Sequence, residues 1–564
     1  MDEPRKALRV AYEGCGHGTL DAIYASTEKA CEAKGWDGID LLIIGGDFQA
    51  ARNAADMNTM AMPPKYRTMA DFHRYYCGER TAPYLTIFIG GNHEVSNYLQ
   101  ELFYGGWVAP NIYFMGNVNV VKLAGVRIAG LSGIWKGYSY NKPHIERLPY
   151  NDGEMRSIYH VREVDVRKLL RIREPVDVGI SHDWPRGVEW HGDWAQLFRK
   201  KSQFEQEARD GTLGSVAAEK VLDRIRPKYW FSAHMHIKFA AIVKHQPGVA
   251  SLGSRWSSKG QSHEAKAGPA TAPVKNADEI NLDLGDEDNK ATSGNPDEID
   301  LDMDDEDAAP KPDVPKDPTT TNDPDLVPDS VRAELPEAFQ KKPQEEQQEK
   351  SRAWSPPPPE ISNRATHFLA LDKCLPGRHF LQLLEIPTSE DIADEKPRLE
   401  YDPEWLSIVK AMASETTIGE GAEVPPFLGS TTYYERIDEN RRWVSEHVGD
   451  TKIYIPEDFS ITAPVYDPEM GERTGEMPRE YTNPHTAAFC KMLEIENVLD
   501  ATEEEREERY QRGPKPDDGR GGRGGRGGRG GFGRGRGRGG RGRGGGGFGG
   551  GKGGGWRGRG RGGY

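Results

Sequence analysis

Eight side chains of metal-binding or acid–base type stand directly after short apolar runs in the first half of the chain. They are Cys15, His17, Asp47, Asn92, His93, His182, His234 and His236. Thiolate, imidazole, amide and carboxylate groups bind transition-metal ions. Two divalent ions about 3.5–4 Å apart can clamp a phosphodiester and lower the pKa of a bound water. One imidazole of such a set can stay off the metal and act as a general acid. The residue types therefore indicate phosphoester hydrolysis at a two-metal centre, although a single histidine at a strand end is more often structural.

The pattern between residues 7 and 239 predicts the elements that bring these side chains together. Apolar runs of strand length occur at 7–12, 40–45, 84–90, 118–123, 126–131, 176–181 and 229–233. Helical patterns separate them at 19–34, 97–102, 160–171 and 215–225. This alternation predicts an α/β core, and the runs on either side of Ala124 and Gly125 predict a hairpin, which makes the sheet mixed. Ligands gather beyond the carboxyl ends of strands in such folds, so we expect the eight side chains to converge.

The order of these motifs resembles that of the calcineurin-like metallophosphoesterases. The family usually has Asp-x-His first and Gly-Asp-x-x-Asp second, whereas this chain has Cys15 in the first motif and Ala50 at the end of the second. Both departures are typical of one branch, the RNA lariat debranching enzymes. The stretches 104–113, 130–136, 149–151, 181–185 and 231–241 are also similar to that branch. The resemblance is dense up to about Ala241 and looser from Arg364 to about Ala501.

The resemblance implies a fold, a reaction and a role for each residue. The fold is an α/β four-layer metallophosphoesterase sandwich, with two mixed sheets flanked by helices and a smaller C-terminal domain packed on it. The reaction is hydrolysis of the 2′–5′ phosphodiester at the branch point of excised intron lariat RNA, with His93 protonating the departing 2′ oxygen. The first metal pocket comprises Cys15, His17, Asp47 and His236, and the second comprises Asp47, Asn92, His182 and His234.

Two divalent ions are thus expected, and Cys15 bears on their identity. A thiolate makes the first pocket softer and favours Fe²⁺ or Zn²⁺ over Mg²⁺, with Mn²⁺ as a further candidate. It also makes the pocket sensitive to oxidation. The alternative is that Cys15 is only a small buried residue in a tight turn. Two other functions stay open, namely a general metallophosphatase and an RNA-binding scaffold with an inactive metal site.

Residues 135–156 are rich in aromatic and basic side chains, which hold single-stranded RNA by stacking and by contacts with phosphates. In the debranching enzymes the matching loop reads the branched nucleotide. The candidate substrate contacts are Lys136, Tyr138, Tyr140, Lys142, His144, Arg147, Tyr150 and Asn151, together with Trp184 and Arg186. The alternatives are an ordinary surface loop and, for the last two, plain packing.

Composition divides the 564 residues into segments of opposite character. Residues 519–564 contain 29 Gly, 12 Arg, one Lys and no acid, so they carry +13, and the rest of the chain carries −28. The predicted organisation is a catalytic domain (1–245), a disordered acidic and Pro-rich insertion (246–362), a C-terminal debranching-enzyme domain (363–500), a charged linker (501–518) and a disordered Gly/Arg-rich tail (519–564).

The two charged segments and the composition predict partners and location. The insertion holds an acidic repeat at 278–288 and 297–307, which is either a solvated linker or a docking motif for an unidentified protein. The tail is typical of non-specific RNA binding or of a solubilising segment. Five scattered cysteines, the absence of a signal-peptide core and the absence of a long apolar run favour a reducing compartment without a membrane span. Nuclear localisation follows from the lariat substrate.

Overall fold

The computed structural model describes residues 5–247, 250–252, 356–392 and 396–516. Its strands are β1 (Arg5–Glu13), β2 (Leu41–Ile44), β3 (Thr86–Phe88), β4 (Gly106–Ala109), β5 (Ile112–Phe114), β6 (Val118–Leu123), β7 (Val126–Leu131), β8 (Val178–Ser181), β9 (Tyr229–Ser232), β10 (Phe239–Lys244), β11 (Ala365–Ala370), β12 (Leu381–Ile392) and β13 (Leu399–Tyr401). Its α-helices are α1 (Leu20–Lys34), α2 (Phe72–Tyr76), α3 (Ser96–Glu101), α4 (Gly137–Tyr140), α5 (Asp152–Ser157), α6 (Glu163–Leu169), α7 (Trp194–Lys200), α8 (Gln203–Asp210), α9 (Val216–Ile225), α10 (Pro403–Ala411), α11 (Ser430–His447), α12 (Pro484–Leu493) and α13 (Glu503–Arg512). Most of the predicted insertion and the whole predicted tail lie outside the described residues.

The strands form two mixed sheets, as predicted. The first has the order β12-β1-β2-β3-β5-β4 and the second the order β10-β11-β9-β8-β7-β6-β13. β1, β2, β3 and β5 run parallel to one another in the first sheet, and β7, β8, β9 and β11 do so in the second. The predicted hairpin is confirmed, because β6 pairs antiparallel with β7 from Val118–Leu131 to Leu123–Val126.

The side chains of a single strand pack into two separate hydrophobic cores, one on each face of the sheet, and this arrangement gives the layers of the fold. In β2, Leu41 and Ile43 belong to the core shared with the second sheet, whereas Leu42 and Ile44 belong to a core shared with α1. Successive strand residues point to opposite faces, so this split places the second sheet on one side and α1 on the other. α6 packs on β6 and on α9. Helices therefore flank both sheets, as expected for a metallophosphoesterase sandwich.

The C-terminal region completes both sheets. β11 lies between β10 and β9, β12 pairs antiparallel with β1, and β13 pairs with β6. β10 and β11 pair in a register that runs from Phe239 with Ala370 to Lys244 with Ala365. This region thus supplies strands to the sandwich, which goes beyond the predicted packing of a smaller domain against it.

The sequence patterns do not predict β4, β5, α2, α4, α5, α7 or α8, all of which have three to eight residues. Elements this short complete too few periods to stand out. α11 buries only Tyr433, Ile437 and Val444 among its 18 residues, so its apolar signal in the sequence is weak. Within the described ranges, no helix combines the length and the apolar character needed to cross a membrane.

Candidate metal centre

Loops that follow six strands meet at one edge of the sandwich. Cys15 and His17 follow β1, Asp47 follows β2, and Asn92 and His93 follow β3 of the first sheet. His182 directly follows β8, and His234 and His236 follow β9 of the second sheet. The five predicted motifs therefore share one crevice between the two sheets. The sixth loop, after β11, comes from the C-terminal region.

The first group of potential ligands consists of Cys15, His17, Asp47 and His236. Each offers one donor atom, and these atoms all lie within 4.8 Å of one another. Nε2 of His17 is 3.2 Å from Nε2 of His236 and 3.7 Å from Oδ2 of Asp47. The structure thus brings together the four residues expected to form the first pocket.

The second group lies on the other side of the Asp47 carboxylate. Oδ1 of Asp47 is 3.4 Å from Nε2 of His182, and the rings of His182 and His234 are 5.0 Å apart. Nδ1 of His182 lies 2.8 Å from the carbonyl oxygen of Gly45, so Nδ1 carries the proton and Nε2 has the lone pair. Nε2 of His182 and Oδ1 of Asn92 are buried and have no hydrogen-bond partner among the residues that the structure describes. Buried polar atoms of this kind call for a partner, and both are donors suited to a metal ion.

The backbone at these residues is strained. The φ angle is positive at His17 (41°), Asp47 (49°), His234 (62°) and His236 (47°). A non-glycine residue in this region costs about 1–3 kcal/mol, and such residues persist where the surroundings hold them for function. A Cβ at Gly46 would lie 2.2 Å from Nδ1 of His182, so only glycine allows the β2 loop to approach that ring.

Burial and neighbouring charges set the protonation states. Burial raises the pKa of Cys15, and the carboxylates of Asp47 and Glu13 raise it further. Burial lowers the pKa of His17 to about 4 and that of His234 to about 3, so these imidazoles are neutral and can donate a lone pair. Burial alone would raise the pKa of Asp47, but the neighbouring histidines, with His182 foremost, hold it below its usual range. A divalent cation reverses the penalty on the thiolate, so the donor set fits two divalent ions.

His93 lies beside the centre and keeps one nitrogen free. Its backbone amide donates to Oδ1 of Asp47 at 2.9 Å, and its Nε2 lies 3.2 Å from Nδ2 of Asn92. The amide nitrogen of Asn92 can only donate, so Nε2 of His93 accepts and the proton resides on Nδ1. Nδ1 has no partner within the described part of the chain. This imidazole therefore has a buried N–H that no group of the described residues accepts.

Glu94 holds two of the loops together, a role that the sequence motifs do not reveal. Oε1 accepts hydrogen bonds from the amides of Phe48 (2.8 Å) and Gly91 (2.9 Å), and Oε2 accepts from the amide of Gln49 (2.9 Å). Burial raises the pKa of Glu94 to about 7, against these three bonds, which lower it. The only signal in the sequence is its place directly after His93. The structure identifies Glu94 as a positioning residue for both Asp47 and Asn92.

Of the ten predicted RNA contacts, Tyr138 and Lys142 are exposed, and Lys136 is half-buried. Tyr138 is 62% exposed, and the Lys142 ammonium lies 5.6 Å from the centre of its ring. The backbone amide of Trp135 donates at 3.2 Å to Asp183, which directly follows His182, so the Lys136 backbone stands near the second pocket. These three side chains are placed where a substrate can reach them.

The other seven have partners inside the protein. Nε2 of His144 is 2.6 Å from Asp165, the Tyr150 hydroxyl donates to Gln100 at 2.6 Å, and the indole N–H of Trp184 donates to the carbonyl of Ala233 at 2.9 Å. The remaining four are Tyr140, packed on Trp135, Arg147, paired with Glu480, Asn151, which caps α5, and Arg186, paired with Glu219. These contacts are those of structural residues and favour the packing alternative, so substrate contact by these seven stays a prediction.

Comparison with known proteins gives matches along both folded regions. Residues 8–238 match the family model for calcineurin-like phosphoesterases, and residues 363–498 match that for the lariat debranching enzyme, C-terminal domain. The lariat debranching enzyme of Schizosaccharomyces pombe is 40% identical over 490 residues, which cover 86% of this chain and 95% of that protein. The lariat debranching enzyme of Homo sapiens is 38% identical over 88% of this chain and 72% of that protein. The lariat debranching enzyme of Drosophila melanogaster is also 38% identical, over 87% of this chain and 78% of that protein.

Proposed function

Because this chain belongs to the lariat debranching enzyme family, we propose that it hydrolyses the 2′–5′ phosphodiester at the branch point of excised intron lariat RNA. The observation that carries this proposal is the Asp47 carboxylate with a group of metal-binding side chains on either side. Oδ2 faces His17 and Oδ1 faces His182, as a bridging ligand requires. The product would be a linear RNA ready for degradation.

The chain's own residues account for orientation and proton transfer. When bound in these pockets, two divalent ions would clamp the phosphate oxygens and lower the pKa of a water. Asp47 keeps both pockets in register, since its Oδ1 also accepts the His93 amide. We propose that the Nδ1–H of His93 protonates the departing 2′ oxygen, with Asn92 holding the imidazole in that tautomer. A positioned general acid contributes about 10²–10⁴-fold to rate.

The test uses a synthetic RNA with one 2′–5′ branch, and a simple phosphomonoester as the comparison substrate. His93→Ala should lower the debranching rate by about 10²–10⁴-fold while metal content stays at two ions per chain. The control His447→Ala removes an exposed imidazole from α11 and should leave the rate unchanged. Debranching that survives in Asp47→Asn would refute the proposal, and equal turnover of the phosphomonoester would indicate a general metallophosphatase.

Fe²⁺, Zn²⁺ and Mn²⁺ are the proposed metals. The thiol of Cys15 in the first group supports the softer ions Fe²⁺ and Zn²⁺, and Mn²⁺ suits the carboxylate and amide donors of the second. Debranching by protein reconstituted with each ion separately would rank them. Full activity with Mg²⁺ alone would contradict this choice.

The Gly/Arg-rich tail, 519–564, is proposed to bind RNA without sequence preference. Its +13 charge and its four aromatic residues suit ion pairing with phosphates and stacking on bases. Deleting the tail should weaken RNA affinity and flatten its salt dependence, while turnover of a short branched RNA persists. An unchanged salt slope would refute this role.

The nucleus is the proposed location, because intron lariats arise there. Imaging of the full chain with a fluorescent tag, compared with the same chain after tail deletion, tests the location and the tail's part in it. Exclusion of the full chain from the nucleus would contradict the proposal.

A further inference from the structure

The loop after β11 places Lys373 against the first metal pocket. Cys15 and Lys373 form an isolated parallel β-bridge. The amide of Cys15 donates to the carbonyl of Asp372, and the amide of Cys374 donates to the carbonyl of Cys15, each at 3.4 Å. Two hydrogen bonds therefore fix the Lys373 backbone beside a predicted metal ligand, although Lys373 lies more than 350 residues further along the chain.

Lys373 has no acidic partner of its own. The side chain is half-buried, and no acid within the described ranges forms an ion pair with its ammonium. The neighbouring Asp372 pairs instead with Arg378, at 3.4 Å. A lysine ammonium is a compact, strongly hydrated charge on a flexible stem, so this half-exposed side chain is available to an anion that enters the crevice.

The loops beside the two pockets each carry one lysine. Lys373 is bridged through its backbone to Cys15 of the first pocket. Lys136 directly follows Trp135, whose backbone amide donates at 3.2 Å to Asp183, the residue after His182 of the second pocket. Each pocket therefore has one lysine near it, and the two lysines come from separate parts of the chain.

We propose that the ammonium of Lys373 binds a phosphate oxygen of the RNA beside the first pocket, so that the ribose–phosphate chain crosses the centre between Lys373 and Lys136. Lysine contacts with phosphates position a nucleic acid without reading its bases. Lys373 is then a substrate-positioning residue that the C-terminal region contributes to the catalytic crevice. This inference rests on the proposed debranching function.

The test measures the affinity of a fluorescently labelled branched RNA by anisotropy over a range of salt concentrations. The metal-loaded His93→Ala protein serves as the background, so that the RNA stays intact. Lys373→Gln should weaken binding several-fold and reduce the slope of log K against log salt by about 0.7, the value for one phosphate contact on a single strand. Lys373→Arg should restore the slope.

Lys122→Gln is the matched control. Lys122 is also half-buried and pairs with Arg127 near the start of β7. The metal centre lies beyond the opposite end of β7, so Lys122 is remote from it. The variant removes the same charge far from the crevice and should leave the slope unchanged. If Lys373→Gln has the slope of this control, the inference is wrong. It is also wrong if the variant loses metal or melts earlier while Lys373→Arg fails to restore binding, since Lys373 would then act on the fold. If the unsubstituted enzyme does not cleave branched RNA, the proposed function itself fails.

Discussion

Replacing Glu94 with glutamine tests whether one carboxylate holds the metal loops in place. Phe48 and Gln49 directly follow Asp47, and Gly91 directly precedes Asn92, so the three amides that Glu94 accepts belong to the loops of two predicted ligands. Glutamine keeps the shape but turns one acceptor oxygen into an N–H₂ group. At least one amide then faces a donor instead of an acceptor.

The magnitude follows from that lost hydrogen bond. A hydrogen bond to a charged group contributes about 1.5–3 kcal/mol, which corresponds to about 10- to 150-fold in a binding constant. Loss of a residue that orients metal ligands typically weakens metal affinity by about 10- to 100-fold. We therefore expect Glu94→Gln to bind metal at least about tenfold more weakly and to require correspondingly more metal for debranching.

The assay is a metal titration in competition with a chromophoric chelator, run beside debranching rates at increasing metal concentration. Glu28→Gln, on the exposed face of α1, is the matched control and should behave as the unsubstituted protein. At saturating metal, Glu94→Gln should recover most of its rate, because the carboxylate positions ligands and does not touch the substrate. Unchanged metal affinity would refute the positioning role.

Three further predictions concern the core and the first pocket. Burial raises the pKa of Asp165, but the charge and hydrogen bond of His144 outweigh burial and hold the pKa at about 2. The ionised carboxylate therefore stabilises the fold above pH 4, and this stabilisation is lost as the pH falls towards 2. Asp165→Asn should therefore cost about 2 kcal/mol at pH 7, and urea unfolding curves of the two proteins should converge at pH 2; a constant difference would contradict this. Arg52 pairs with two buried carboxylates, those of Asp56 and Glu101. Arg52→Met leaves both charges without a partner and should lower the free energy of unfolding by about 3–5 kcal/mol. A loss below about 1 kcal/mol would contradict this prediction. Cys15→Asp should shift metal preference towards Mn²⁺ and Mg²⁺ and protect activity from hydrogen peroxide; an unchanged metal ranking would show that the thiol does not select the ion.

The convergence of the motifs was predictable because the ends of parallel strands are determined by short-range patterns. Each predicted ligand directly follows an apolar run, and the alternation of runs and helices requires those ends to share an edge. The sequence also shows where the chain departs from the family, at Cys15 and Ala50. Pattern and resemblance together were therefore sufficient to predict that these side chains converge.

Contacts between distant segments were not predictable in the same way. Glu94 accepts hydrogen bonds from the amides of Phe48 and Gln49, which precede it by 46 and 45 positions. No local sequence pattern predicts such a bond. Residues 135–156 have the composition of an RNA-binding surface. His144 and Tyr150 are nevertheless buried, with hydrogen bonds to Asp165 and Gln100 respectively. Residue type alone does not distinguish an aromatic or basic side chain that faces solvent from one that completes an internal network.

The placement of β11 and β12 has a consequence for how the protein is made. The ribosome releases residues 1–247 long before 365–392, so β1 and β9 emerge while the strands that pair with them, β12 and β11, are still missing. Until then two open sheet edges offer unpaired amide and carbonyl groups to other chains. Lys373 is also absent from the crevice during this interval. The nascent N-terminal portion therefore exposes two unpaired strand edges until the second folded region has left the exit tunnel, and the crevice is complete only then.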